Sequence, residues 1–282
     1  MKAMWFVPPP VMLLAAEPGF GRAAVEGVRN TSSEEQFESL ASGRVDMAVT
    51  AMDNVIDWNR RPGPRDFRIV AQIERTTPLH VIGRPGLASL ADLRGATLLV
   101  DARDNGFVVA LRALLHEAGL GPRDYVLDPV GGVTERYEAL LAGRGDATLL
   151  GPPFDGQARE AGCSQLASVQ ERYPTFPGQG LVMRLATLER LEAPLCAYLE
   201  ALSAACELLR CDEQKAAGLL REAGMPPQAL ASAIALSPLS LCPDRQGVEL
   251  LIGHRRELDM PGGNETYEQL VAASWLPPVM GA

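Results

Sequence analysis

Short apolar runs alternate with segments whose apolar positions recur every three or four residues, the two periods of strand and helix. The runs Ala3–Val7, Ala24–Asn30, Met47–Ala51, Arg68–Glu74, Leu79–Arg84, Thr97–Asp101, Tyr125–Pro129, Ala147–Gly151, Gln165–Ser168 and Gly180–Leu185 read as strands. Between them Val11–Glu17, Ser33–Ser42, Leu90–Arg94, Phe107–Ala118, Thr134–Ala142 and Phe154–Ala161 read as helices. In Phe107–Ala118, Val108, Leu111, Leu114 and Leu115 share one stripe and Arg112 and Glu117 lie off it. Strand–helix alternation at this spacing predicts parallel sheets with crossover helices.

The last hundred residues read differently. Ala186–Met225 is almost purely helical, with Leu195, Leu199, Leu202, Leu208 and Leu209 at helical spacing. Further helical tracts follow at Pro226–Ile234, Arg245–Glu257 and Asn264–Ser274, the first ending in a proline-marked loop at Ser237–Pro243. These helices are expected to pack on a sheet made earlier in the chain.

One stretch repeats. Glu38-Ser39-Leu40-Ala41-Ser42-Gly43-Arg44-Val45-Asp46 recurs as Glu138-Ala139-Leu140-Leu141-Ala142-Gly143-Arg144-Gly145-Asp146, and an apolar strand follows each copy. Each copy is a helix stopped by a glycine free to take positive φ, then a polar turn, then a buried strand. Two α/β lobes of similar construction account for it.

The chain has 282 residues, of which 47% are hydrophobic and 22% charged, so it can bury a large core without metal or disulfide. Its net charge of −9 argues against nucleic-acid partners and against docking on an anionic membrane surface. No apolar stretch is long enough for a transmembrane segment. The five cysteines lie singly and the three histidines are scattered, with no metal-ligand spacing, so no metal or cofactor is expected. His80, inside an apolar strand, and His116, on a helix shoulder, have structural explanations. Cys206 and Cys211 are poorly placed to bond with each other. No catalytic residue is assigned.

The N-terminal Met1–Val7 run ends at Pro8-Pro9-Pro10 and lacks a small-x-small cleavage site, so it reads as a first strand and not as a leader. The expected location is periplasmic or lipid-anchored if a leader was removed, and otherwise cytoplasmic.

Four features together resemble the type II periplasmic-binding-protein fold, and more narrowly the nitrate/sulfonate/taurine/thiamine-pyrimidine-precursor group of substrate-binding proteins. They are a strand and short helix ending in Glu17-Pro18-Gly19-Phe20, the stretch Leu40–Ala48, the stretch Ser89–Val100, and Ala139–Phe154 ending in Gly151-Pro152-Pro153-Phe154. The resemblance covers roughly residues 1–210. It implies an α/β chain in two lobes with a ligand cleft between them and extra C-terminal helices. Lobe one would contain residues 1–84 and 181–282 and lobe two residues 85–180, with crossings near Gly83–Ala88 and Phe176–Gly180. A ligand would lie at strand carboxyl ends and helix amino ends, where unsatisfied N–H groups gather.

Candidate ligand contacts follow from that placement. Pro10 ends the Pro8–Pro10 run as one cleft wall, or simply starts a helix. Thr31 and Ser32 follow strand two, with helix capping as the plain alternative. Thr50, Met52, Asp53 and Asn54 cluster after strand three. Arg75 is a cation suited to a carboxylate, sulfonate or phosphate. In lobe two, Asn105 and Gly106 can present N–H groups and Phe107 can stack on a ring; Gly132 and Phe154 occupy equivalent turns.

The function these expectations support is capture of a small organic molecule or anion for an ABC-type importer, with a membrane permease as partner. The alternative is a cytosolic enzyme on the same fold, a decarboxylase or lyase or a pyrimidine- or menaquinone-pathway relative, acting on a small aromatic or carboxylated substrate. A third is the sensing module of a regulator.

Overall fold

A computed structural model describes residues 1–20 and 24–276. Its strands, in chain order, are β1 (Lys2–Trp5), β2 (Glu26–Arg29), β3 (Met47–Ala51), β4 (Phe67–Gln72), β5 (His80–Gly83), β6 (Thr97–Val100), β7 (Val126–Pro129), β8 (Ala147–Leu150), β9 (Ser164–Ser168) and β10 (Gln179–Arg184). Its helices are α1 (Pro10–Ala15), α2 (Ser33–Ala41), α3 (Asp53–Trp58), α4 (Val108–Glu117), α5 (Val133–Leu141), α6 (Phe154–Glu160), α7 (Val169–Arg172), α8 (Leu185–Arg190), α9 (Glu192–Cys211), α10 (Glu213–Glu222), α11 (Pro227–Ala235), α12 (Arg245–Glu257) and α13 (Tyr267–Leu270).

The strands form two separate sheets, ordered β2-β1-β3-β10-β4 and β7-β6-β8-β5-β9. Each has parallel strands with one reversed member in fourth place: β10 runs antiparallel to β3 and β4, and β5 to β8 and β9. In both cases the reversed strand is the first the chain makes after crossing from the other sheet. This corrects the expected first crossing. The run Leu79–Arg84 is a strand, but it belongs between β8 and β9, so the chain changes sheets between Gln72 and His80 and not after residue 84. An apolar run announces a strand without saying which sheet will take it. Residues 21–23 and 277–282 of the expected first lobe lie outside the described residues.

The repeated stretch folds the same way twice. Gly43 (φ 74°) and Gly143 (φ 70°) end α2 and α5, their N–H groups donating to the Leu40 and Leu140 carbonyls at 3.2 and 3.0 Å. A side chain with Cβ would be strained at either φ.

The C-terminal helical text is cut into pieces. Asp212 breaks Ala186–Met225 by capping α10, its carboxylate accepting from Lys215 N at 3.0 Å. The expected helix Asn264–Ser274 shrinks to α13. Beyond it the buried, β-branched Val271 turns extended and bridges Ile69, Ala272 N donating to the Ile69 carbonyl at 2.9 Å along the β4 edge.

Helix α9 buries Leu195, Leu199, Leu202 and Leu209 against α1 and its sheet, as expected. Helix α12 does something else. It packs on α4, which follows the second sheet's β6, and its Val248, Leu251 and Ile252 join one apolar cluster that also holds Phe67 and Ile69 from the first sheet and Leu98 and Val109 from the second unit. The sheets are separate, but on the α12 side their cores are continuous.

Candidate ligand cavity

The parallel strands of both sheets aim their carboxyl ends at the gap between them, where α/β sheets leave crevices. Residues following β1, β3, β4, β6 and β8 close around a cavity of about 470 Å³, within the range of small-molecule sites. The helix α11 and its approach, from Met225 to Leu236, add a further wall, and most of the lining is apolar.

A polar seam joins the two units beside the cavity. Asn54 donates to Thr50 Oγ1 at 2.6 Å and accepts, at its Oδ1, from Asn105 Nδ2 at 2.8 Å across the gap. Gly106, at φ 73° with the Asn54 amide against it, donates its N–H to Asp53 Oδ2 at 2.9 Å. Asp53 is held from behind by Arg255 of α12 through Nε and Nη2, both at 2.6 Å, and each side chain is only 1% exposed. The same guanidinium donates to the Asp104 carbonyl at 3.0 Å and the Pro261 carbonyl at 2.8 Å. Burial pushes the Asp53 carboxyl up and the Arg255 pairing opposes it. Four donated bonds satisfy the guanidinium, the condition under which a buried charge pair holds together.

Among the described residues, three ionisable side chains line the cavity itself. Glu74 accepts from Thr77 Oγ1 at 2.8 Å and from Gln179 Nε2 at 3.1 Å, and burial pushes its carboxyl up. Asp101 Oδ2 accepts from Ser33 N at 3.4 Å, while its Oδ1 is buried without a hydrogen-bond partner. Burial raises this carboxyl too, against contacts with Ser33 and the charge of Arg136. Arg136 is buried and spends donors on the Gly131 carbonyl at 3.0 Å and the Leu149 carbonyl at 3.3 Å; burial pulls its pKa down. Among the described residues no histidine or cysteine lines the cavity, and no three His, Cys, Asp or Glu side chains gather as a metal site requires.

This two-sheet construction around a cleft matches known proteins. The model of the family described as NMT1/THI5 like matches residues 15–216. The chain belongs to that family. No curated protein matches it. Solved structures share the fold at low identity. One is a ligand-binding component of an ABC-type import system from Staphylococcus aureus, with zinc bound (15% identity, TM-score 0.77, covering 99% of this chain and 98% of that one). Another is the alkanesulfonate-binding protein from Xanthomonas axonopodis pv. citri bound to MOPS (16%, 0.73, 98% and 97%). A Candida albicans gene product exhibiting the generic periplasmic binding protein fold also aligns (12%, 0.73, 95% and 92%). The fold and family expected from the sequence motifs are those found.

Within this NMT1/THI5-like chain, the sequence-predicted contacts divide. Pro10, Thr50, Asn54, Asn105, Gly106, Phe107 and Gly132 line the cavity. The others do not. Ser32 caps α2, accepting from Glu35 N at 3.1 Å, and Thr31 N donates to the Glu35 carboxylate at 3.0 Å. Met52 is core, and Asp53 is turned away into its ion pair with Arg255. Arg75, the expected anion partner, donates to the Ala235 carbonyl at 3.0 Å and its N–H to the Leu236 carbonyl at 2.8 Å, so it fastens α11 and does not enter the cavity. Phe154 packs on Tyr137, ring centroids 5.0 Å apart.

Sequence reasoning passed over Glu74, Asp101, Arg136, Gln179 and the α11 wall. A signal for Arg136 was present: extending the repeat two residues toward the N-terminus sets Arg136 opposite Gln36, and both are buried. Nothing local marks α11, because its cavity face depends on where a distant helix docks.

Proposed function

We propose that the protein is a solute-binding protein that captures a small organic molecule between its two units and delivers it to a membrane permease of the ABC importer class, working outside the cytoplasmic membrane. The observation that carries this reading is the mostly apolar cavity of about 470 Å³, walled by loops of both sheets. Such a cavity is completed only when the units come together. The Asn54–Asn105 and Asp53–Gly106 bonds across the gap are then among the contacts that opening must break. Capture of this kind needs differential affinity of open and closed states and no covalent chemistry. Among the described residues the lining holds no histidine or cysteine and so no nucleophile–base pair of the Ser/Cys–His type. Among the described residues no helix is long and apolar enough to cross a membrane.

The test is incubation of the protein with a metabolite extract, followed by mass spectrometry of what denaturation releases. A defined small molecule is expected from the parent protein, and at least tenfold less from the N54A/N105A double variant. Equal recovery from both would overturn the assignment of this cavity.

A further inference from the structure

The cavity is built for one sign of charge. Glu74 and Asp101 stand against Arg136, a net single negative charge when all three are ionised, in a lining otherwise apolar or neutral. Arg136 already donates to two backbone carbonyls, and Arg75 lies outside. An entering sulfonate or nitrate would bring the enclosed charge to two negatives, and Arg136, the one guanidinium among the described lining residues, already shares its charge with Asp101; low-dielectric surroundings penalise such an arrangement heavily. A monovalent cation instead brings the enclosure to neutrality. Asp101 belongs to the lining and its buried Oδ1 lacks a hydrogen-bond partner, so this carboxylate has accepting capacity that the chain leaves unused. Glu74 lies deep in the fold yet is not sealed, because the cavity keeps part of it accessible. The remaining walls include the Phe6 and Phe107 rings, which suit an apolar body and favour a nearby cation through their π faces. Among the described residues a bare metal ion finds too few ligands here.

Given the capture role proposed above, we propose that the occupant is an organic amine carried as its ammonium ion, its apolar body against the aromatic and aliphatic walls and its N–H donors toward the Glu74 and Asp101 carboxylates.

The experiment is titration calorimetry with matched series, phenyl and naphthyl bodies on a two-carbon chain, each ending in ammonium, hydroxyl or sulfonate. The ammonium members are expected to bind at least tenfold tighter than the hydroxyl members, and the sulfonates not at all. E74Q and D101N, which keep size and an acceptor oxygen, should each cost the ammonium series tenfold or more and leave the hydroxyl series nearly unchanged. Thermal unfolding of both variants near the parent temperature shows that they are folded. Sulfonates binding tightest, or variants that leave the ranking intact, would overturn the amine assignment while capture stands. If no member of any series binds and the metabolite extract also yields nothing, the capture reading fails with it.

Discussion

The two halves of the molecule solve one folding problem with nearly the same residues, one hundred positions apart. Asp46 and Asp146 each bond twice to the first residue of a central strand. Asp46 N donates to the Lys2 carbonyl and Lys2 N to Asp46 Oδ2, both at 2.9 Å; Asp146 N donates to the Thr97 carbonyl at 2.7 Å and Thr97 N to Asp146 Oδ2 at 2.8 Å. Gln36 reaches the Val49 carbonyl at 2.9 Å, and Arg136 reaches the Leu149 carbonyl at 3.3 Å from the equivalent place. Away from the cleft the halves agree; toward it they diverge. Ser32 with its capping hydroxyl faces Gly132 with none, Gln36 faces a charged arginine, and Asp53-Asn54 face Pro153-Phe154. Identity between halves marks what the fold needs, and divergence marks what the cleft was free to change.

Asp53 has no acidic counterpart in the second half, so the seam it anchors is the strongest place to break the comparison. D53A would leave the Arg255 guanidinium buried and unpaired, which costs about 3–5 kcal/mol. Urea unfolding is expected to show a loss of that size, and the D53L/R255M pair should recover most of it. A loss for D53A below about 1 kcal/mol would mean that the seam does not depend on the pair.

Next to Arg255 on the same helix, His254 is equally buried but neutral and without a hydrogen-bond partner, stacked edge-on against Tyr173 at 4.4 Å. Burial holds its pKa down at about 4, against the opposing charge of Glu117. The unfolded chain takes up the proton near its ordinary value of about 6.5. The folded state therefore keeps its full stability above that pH and loses it as pH falls toward 4, by about 3 kcal/mol in all. Urea midpoints between pH 7 and 4 should follow this slope, and H254F should flatten it. An unchanged slope in H254F would assign the acid sensitivity to other groups.

The common scaffold of the halves sets a smaller effect. D46A and D146A each remove a charged acceptor from a strand N–H, and each is expected to cost about 2 kcal/mol. Their exposed partners, Arg190 and Arg84, add little. Thermal or urea unfolding of the two variants should agree within about 0.5 kcal/mol. A difference above about 1 kcal/mol would break the equivalence.

What the sequence disclosed follows the same division. Every strand run forms a strand, and the glycine-stopped repeat forms twice, because both depend on local period and turn chemistry. The cleft was legible wherever a site residue directly follows a strand, as with Thr50, Asn54, Asn105 and Gly106. It was misread where a distant partner decides the side chain's direction. Arg75 is drawn out to α11, Asp53 is turned back by Arg255 from 202 positions away, and β5 is claimed by the second sheet. Val271 left its helical pattern because the β4 edge offered it a bridge. None of these outcomes is written in a window of neighbouring residues.

The finest test of the comparison exchanges a buried position where the halves differ in charge, Gln36 against Arg136. Gln36 shows that an amide four residues beyond the α2 cap spans the distance from helix to strand carbonyl. R136Q should therefore still serve the Leu149 carbonyl, while the Gly131 carbonyl, beside the cavity, turns to water. Burial disfavours the guanidinium charge, so its loss offsets part of the lost bonding, and the net change in urea unfolding is expected to stay within about 1 kcal/mol. R136L fills much of the same space but donates nothing, and leaving the Leu149 carbonyl unpaired should cost about 1–3 kcal/mol. Equal losses for R136Q and R136L would mean that the arginine is held by its charge beside Asp101 and not by the carbonyl it shares in kind with Gln36. A near-neutral R136Q would leave the cavity acids without their cation, and such a variant is expected to bind the ammonium series more tightly than the parent does.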